Sequence, residues 1–329
     1  MNQATLSTTG ASQLRLALPV SSIVNLKSLS MHCSFSTKGV ADSTGSANDR
    51  VYALIPRNGI ASCLDRVTFS SGGIALDSGA TPYHLMYNLL RNLEVSPDKY
   101  MTDDKVLNQS VIESINAAGA YEVANSGQQK DLVLNNFLGV LEGHPAYFDL
   151  SLVPELFLTV QITDNTVVPV QYQGTTLGTA TPAVVNPNFS GTQCSFTMEN
   201  IFFTCEVISI GSGLYDTLTQ RILSERGSLD FPYRQYQIFS QESSGAGNSI
   251  RGSVSTMSLN RVYGFQRNAD TTANGAPYSP YYLQQAPVLC NGSTTYAYNQ
   301  ASDNFISKGI KDYQFLINNS PECSSILCY

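Results

Sequence analysis

The 329-residue chain is short of charge: only 13% of its residues are Asp, Glu, Lys or Arg, against about 25% in an ordinary soluble protein. Its net charge of −7 excludes the basic footprint of a nucleic-acid binder, and so little charge excludes an ion-pair-laced thermophilic surface. Tryptophan is absent, which removes the large flat aromatic suited to stacking on sugars. No stretch approaches the ~18 consecutive apolar residues of a membrane span. The start, Met1 to Ser7, has no cationic region, and Leu14 to Val24 is broken by Arg15, Pro19 and Ser21; it does not read as a secretory signal. Seven cysteines (Cys33, Cys63, Cys194, Cys205, Cys290, Cys323 and Cys328) include no CxxC pair. An odd count without that spacing fits neither a disulfide framework nor a zinc site. Cys63 and Cys205 read as small apolar residues in strands, and Cys323 and Cys328 are the pair best placed to cross-link.

Hydrophobic residues are not scarce: they make up 42% of the chain, with 18 Tyr and 14 Phe, enough to exclude a disordered polymer. The missing charge is replaced by Ser, Thr, Asn, Gln, Gly and Tyr. Such a profile fits a protein covered by neighbours, because interface cores are depleted in charge and enriched in aromatics. It fits a neutral extracellular β-protein equally well.

Along the chain, short alternating segments are separated by Gly, Pro, Asn and Ser. Strands are expected at Gln13–Leu18, Leu29–Phe35, Val51–Ile55 and Ile60–Phe69. A hairpin turn at Ser70-Ser71-Gly72-Gly73 leads to a return strand at Ile74–Leu76. Thr81–Leu93 predicts a helix, with Pro82 in its first turn and Tyr83, Met86, Tyr87, Leu90 and Leu93 at helical spacing. Residues 96–130 read as a long polar loop, an excursion that compact domains reserve for function or contact. Strands return at Ala146–Leu152, Leu156–Thr163 and Val167–Tyr172, followed by a neutral loop at 174–191 and the longest β-run, Ser195–Ile210. A second helix at 214–226 carries Leu214, Leu218, Ile222 and Leu223 on one face and stops at Gly227. Further strands follow at Phe231–Phe239, Val254–Phe265 and Tyr313–Ile317. The pattern of strands, helix, long loop and strands restarts after this helix, without a residue-level repeat.

No constellation for catalysis or cofactor binding emerges. His32, His84 and His144 lack paired spacing, and core or surface roles suit them better. No GxSxG elbow is present. Gly211-Ser212-Gly213 before a helix offers backbone N–H groups to an anion but reads first as a tight turn. Asp98, Asp103 and Asp104 lack the ordered spacing of a calcium loop. Asn108, Asn188 and Asn291 open glycosylation triplets of a kind expected by accident in so Asn- and Ser-rich a chain. The Tyr-rich stretch 278–298 suits protein contact, since Tyr brings large area at low entropic cost. The expectation is therefore a non-enzymatic chain with no catalytic, cofactor or metal residues and no cofactor.

Three groups of residues carry a resemblance. Ile55-Pro56-Arg57-Asn58-Gly59-Ile60, Leu64-Asp65-Arg66-Val67-Thr68-Phe69 and Gly73-Ile74-Ala75-Leu76-Asp77 lead into the helix at 82–93. Met198-Glu199-Asn200-Ile201-Phe202-Phe203-Thr204-Cys205-Glu206-Val207 leads into the helix at 214–226. Ser253–Phe265 and Phe305–Asn319 follow. Together they resemble the double jelly-roll major capsid proteins, and the size suits the smaller members, found in non-tailed bacterial viruses with an internal membrane. The resemblance implies a mostly β fold, two antiparallel β-sandwich jelly rolls side by side with a few short helices. It divides the chain into a first jelly roll at 1–213, with an N-terminal arm at 1–11, a connecting helix at 214–227 and a second jelly roll at 228–329. A family member continues through several more strands after Asn318-Asn319-Ser320-Pro321, so the second jelly roll is expected to be differently organised or incomplete in this chain. The implied function is a homotrimeric, pseudo-hexagonal capsomer tiling an icosahedral shell. Its implied partners are neighbouring capsomers, minor capsid or penton proteins and an internal membrane, with no sequence-specific nucleic-acid contact. Its place is the virion, after assembly in the host cytoplasm. The rival reading is an extracellular β-sandwich adhesin or carbohydrate-binding protein.

Overall fold

The computed structural model describes residues 4–7, 10, 12–19, 22–38, 40–41, 50–53, 55, 58–77, 79, 82–94, 130–142, 147–150, 155–164, 167, 170–174, 195–208, 212–227, 232–241, 249, 251–254, 258–265, 288–290, 294–299, 312–317 and 320–326. The described chain is mostly β. Its strands are β1 (Ala4–Ser7), β2 (Gln13–Ala17), β3 (Ile23–Lys38), β4 (Val40–Ala41), β5 (Arg50–Ala53), β6 (Leu64–Ser71), β7 (Ile74–Asp77), β8 (Lys130–Leu134), β9 (Tyr147–Asp149), β10 (Leu156–Ile162), β11 (Val170–Gly174), β12 (Ser195–Ile208), β13 (Val288–Cys290), β14 (Thr294–Asn299), β15 (Asp312–Ile317) and β16 (Ser320–Ile326). Helices α1 (Tyr83–Glu94) and α2 (Ser212–Arg226) and the 3₁₀ turns η1 (Gly59–Cys63) and η2 (Gly139–Glu142) complete the described elements.

Eight strands up to Ile208 form one winding pattern. Taken in chain order as β1, β2, β3, β6, β7, β8, β10 and β12, the first pairs with the last, the second with the seventh, the third with the sixth and the fourth with the fifth, all antiparallel. A long hairpin rolled on itself gives this pairing, and it is a jelly roll. The added pairs β3–β12 and β6–β10 complete two sheets, β1-β12-β3-β8 and β2-β10-β6-β7.

Alternation explains why the sheets face each other. Along β10, Leu156, Leu158, Val160 and Ile162 are buried while Phe157, Thr159 and Gln161 are only half-buried. Opposite them, Met31, Cys33, Phe35, Leu132, Leu134, Phe196 and Met198 turn inward. The Phe35 and Phe196 rings stack at 5.8 Å. Fully burying one such side chain stabilises the fold by about 1.5–3 kcal/mol.

The register also decides where the connections lie. Lys38 at the end of β3 pairs with Ser195 at the start of β12, and β8 begins beside Phe35. In the other sheet, β2 and β6 begin beside the end of β10. The links β1–β2, β3–β6, β7–β8 and β10–β12 therefore leave from one end. Both loops expected from the sequence, 96–130 and 174–191, are rooted there, although 96–129 and 175–191 lie outside the described residues. At this end β5 pairs with β11, and β14 from the C-terminal third adds to the other edge of β11, giving β13-β14-β11-β5-β4. β15 and β16 form a separate two-stranded ladder.

Several expectations need correction. Ile60–Phe69 is not one strand. Gly59 has φ +53°, and the next four residues are all buried in the turn η1, leaving no exposed face to alternate. Leu29–Phe35 is the middle of a longer strand, and Lys130–Leu134 at the end of the expected loop is a strand. Ala4–Ser7, within the expected arm, is the first strand of the roll. The stretches expected as strands at Phe231–Phe239 and Val254–Phe265 have no ladder partner among the described residues.

Candidate interaction surfaces

The outer face of β1-β12-β3-β8 is shaped by two irregularities. Ser34 pairs with Glu199 and His32 with Phe202, so β12 carries one extra residue, with Asn200 at φ +52°. Asn tolerates that left-handed conformation better than most residues. The bulge shifts the phase of the strand, as bulges do: Phe196 and Met198 point inward before it, Ile201 after it. Phe202, Thr204 and Glu206 then face out. The second irregularity lies between Asn25 and Ser30 of β3. There Ser28 Oγ donates to the Asn25 carbonyl and accepts the Glu206 N–H, both at 2.7 Å, while Asn25 Nδ2 donates to Glu206 Oε2 at 2.8 Å.

On this face Phe202 is 46% exposed. The His32 ring stacks on it at 4.6 Å, and His32 Nε2 lies 3.0 Å from Thr204 Oγ1. Partial burial lowers the pKa of His32 below its ordinary value, which favours the neutral ring. Asp131, accepting from Ser34 Oγ at 2.7 Å, Glu199 and Glu206 give the face an acidic rim, with Lys27 as an exposed cation.

A second surface is built over α1. The sequence suggests a one-sided helix, but His84 to Arg91 is buried throughout, and His84 and Asn88 find hydrogen-bond partners inside. His84 Nδ1–H donates to the Leu64 carbonyl at 3.1 Å, and Asn88 Oδ1 accepts from Asn58 and from Ser62. The Tyr83 hydroxyl accepts the Leu138 N–H at 3.0 Å, and burial pushes its pKa well up. Leu93, expected on the apolar face, is exposed, because the last turn runs out past the core.

The cover of α1 comes from beyond α2. Tyr236, Ile238 and Tyr263 pack with Leu138 around Met86 and Leu90. The Tyr236 hydroxyl donates to Glu142 Oε2 at 2.7 Å, Arg234 approaches Glu142 Oε1 at 3.4 Å, and the Tyr233 hydroxyl donates to the Leu76 carbonyl. Burial, with the Glu142 carboxylate second, raises the Tyr236 pKa. Tyr236 and Ile238, like Tyr263 and Phe265, are half-buried while the residues between them are exposed; that is the period of an extended chain. Tyr233, Phe239, Val254, Leu259 and Val262 of these segments are exposed apolar groups. The Phe239 ring lies against Gly252, where an added Cβ would come within 2.5 Å of it.

In α2, Ile222 and Leu223, expected on one face with Leu214 and Leu218, are exposed, as is every residue from Gln220 to Gly227; the side chains of Leu214 and Leu218 lie outside the described ones. Gly227 ends the helix as expected, with φ +70° and its N–H donating to the Leu223 carbonyl at 2.8 Å.

Most of the remaining sequence candidates fall outside what the structure describes. His144, Gly211, Asp98, Asp103, Asp104, Asn108, Asn188 and Asn291 lie outside the described residues, as does most of 278–298. Gly213 is exposed, and its carbonyl accepts the Thr217 hydroxyl. Cys33 and Cys63 are buried free thiols, and Cys205 is a half-buried one. Among the described residues no group of three or more His, Cys, Asp or Glu is placed to hold a metal, and no helix is long and apolar enough to cross a membrane. The His32–Phe202 stack and the cover of α1 escape sequence reading, since both depend on long-range register.

No protein-family model matches the chain, and no curated protein matches it. Solved structures similar to it include two viral major capsid proteins. The Faustovirus major capsid protein is similar at a TM-score of 0.32 and 11% identity, over 67% of this chain and 56% of that one. The crystal structure of the STIV MCP is similar at a TM-score of 0.27 and 13% identity, over 68% and 51%. The chain thus spans about half the length of these structures. The functional reading rests on the winding of the strands and on the two surfaces.

Proposed function

We propose that the chain is a structural subunit of a viral shell, a major capsid protein that assembles as a homotrimer into pseudo-hexagonal capsomers of a non-tailed icosahedral virus. The observation that carries this reading is a contrast within the chain. Residues up to Ile208 close a jelly roll around an apolar core of their own. Among the described residues beyond α2, Tyr236, Ile238 and Tyr263 pack over α1, while Tyr233, Phe239, Val254, Leu259 and Val262 are exposed without a ladder. The jelly roll is used by viral shells and lectins alike, and a fold by itself does not assign function. Exposed apolar surface in a chain this poor in charge marks a place for a neighbour.

In this reading residues 1–213 and 228–329 are two jelly-roll units joined by the helix. The subunit acts through geometry, without catalytic residues or cofactor. Its partners are other capsomers, minor capsid or penton proteins and an internal membrane, and its place is the virion after assembly in the host cytoplasm. Similar lateral walls allow closed symmetric assembly, and many weak contacts add up by avidity.

Sedimentation velocity and negative-stain microscopy of the full chain test the reading. A discrete trimer, or regular multimers, is the expected result. A protein that stays monomeric at high concentration and binds immobilised glycans instead would replace it with the adhesin reading. Deleting 97–128 should leave the folded core intact by circular dichroism and impair assembly.

A further inference from the structure

We propose that segment 232–241 is a strap that lifts from α1 as a unit while the jelly roll stays folded, with Glu142 as the latch that holds it down. The latch is a property of the single chain, whether or not the chain builds a shell. The apolar contact beneath the strap stands apart from the sandwich. Met86 and Leu90 are buried in a cluster of their own, closed by Leu138, Tyr236, Ile238 and Tyr263, and neither belongs to the core between the sheets. The strap brings no ladder with it: 232–241 has no strand partner among the described residues. Lifting it breaks side-chain contacts and leaves the pairing of the sheets untouched, the kind of local opening that costs less than global unfolding. Before the strap comes α2, exposed from Gln220 to Gly227. A Cβ added at Gly227 would meet no described atom within 4 Å, so the helix end has room to swing.

The two halves of the latch are unequally held. Glu142 closes η2, whose Gly139, Val140 and Leu141 are buried. Gly139 has φ +84°, and an added Cβ there would come within 2.6 Å of Asp77 Oδ2. The Asp77 carboxylate also accepts the backbone N–H groups of Gly79 and Val140, and the Tyr83 hydroxyl accepts that of Leu138. Glu142 is thus presented from a fixed turn. From the strap, the Tyr236 hydroxyl donates to Oε2 at 2.7 Å and Arg234 to Oε1 at 3.4 Å, so both oxygens of one carboxylate are engaged. The Tyr236 bond is short and goes to a charged acceptor, the stronger kind. The Arg234 contact is long and its side chain is 53% exposed, so screening by water leaves it little weight. The Tyr233 hydroxyl adds a bond to the Leu76 carbonyl.

A cysteine reporter under the strap tests this on the full chain. In Met86→Cys, a thiol reagent followed by peptide mapping compares the new thiol with Cys33 and Cys63, both buried in the sandwich core. The new thiol is expected to react about tenfold faster than those two, because the strap opens without the roll. Adding Glu142→Ala should raise its rate by about another tenfold and leave Cys33 and Cys63 at their parent rates. Tyr236→Phe should give most of that gain, and Arg234→Gln should stay within about twofold of the parent. Glu142→Gln, which keeps an acceptor for Tyr236 without the charge, should fall between. If Met86→Cys does not fold, Ile238→Cys, half-buried on the strap itself, carries the same Glu142 comparison. Reaction of the reporter in step with Cys33 and Cys63 overturns the strap as a unit. An unchanged reporter rate in Glu142→Ala, or equal gains at all three thiols, overturns the latch.

Discussion

Phe196 and Phe239 are the same side chain in opposite circumstances. Phe196, on β12, is 1% exposed and stacked on Phe35 inside the sandwich; Phe239, beyond α2, is 43% exposed. The first region ladders its strands into two sheets around its own apolar core, with Ile74, Leu93, Tyr147 and Phe202 left exposed outside that core. The second holds on by alternate residues, Tyr236, Ile238 and Tyr263, and leaves the intervening ones to solvent. Among the described residues one region is a finished pair of sheets and the other, unfinished, carries no ladder, and that difference sets which side chains the folded core depends on.

Truncation gives the largest expected contrast. Phe196→Ala removes a fully buried ring from a packed core and should destabilise the folded chain by about 3–5 kcal/mol, measured by urea unfolding. Phe239→Ala should change the same midpoint by less than about 1 kcal/mol, since its ring is exposed and lies against Gly252, as expected for a largely exposed position. Equal losses would mean that the second region contributes to the same cooperative core, and the comparison would fail.

The sequence carried the alternation that builds the roll, but not the register that turns it into surfaces. Leu156 to Ile162 alternates without interruption, and its strand was readable to within a residue. In β3 the inward set passes from Leu26 to Leu29 across the irregularity that Ser28 and Asn25 hold, so only Leu29–Phe35 kept a clean period. The buried polar face of α1 was hidden for a different reason. His84 and Asn88 look solvent-facing until Leu64, Asn58 and Ser62, twenty or more residues earlier, are brought against them. Segments 232–241 and 258–265 have the local period of strands, and no local signal says whether a ladder partner exists.

A pH series sharpens the same contrast through the thiols. Burial pushes Cys33 from its ordinary 9.0 up to about 12, with Asp131 adding to the shift, and raises Cys63 as well. A folded-state pKa above the unfolded one means the native state holds more protons between the two values. Stability is therefore fully present below about pH 9 and falls as pH rises toward about 12. Each such group accounts for at most about 1.4 kcal/mol per pH unit in that window. Unfolding midpoints at pH 8 and pH 10 should differ, and Cys33→Ala should flatten part of the difference. Half-buried Cys205 should react with a thiol reagent in the native protein while Cys33 and Cys63 wait for unfolding. Early reaction of all three would show that the sandwich opens locally.

The smallest effect belongs to α2. Its Arg221–Glu225 pair closes at 2.8 Å with both side chains mostly exposed, at 72% and 60%. Two long side chains lose freedom to hold that geometry in water, where Coulomb attraction is weak. The order also works against it: the cation lies N-terminal to the anion, the less favourable arrangement against the helix dipole. Arg221→Ala should therefore cost about 0.3–0.5 kcal/mol or less, visible only as slightly reduced helicity at low salt. The urea midpoint of the jelly roll should not move, because α2 begins after the last strand of the roll and Arg221 and Glu225 are exposed, away from its core. A loss above about 1 kcal/mol would show that this exposed helix is already braced against part of its own chain, and the boundary between the finished and unfinished regions would have to move past it.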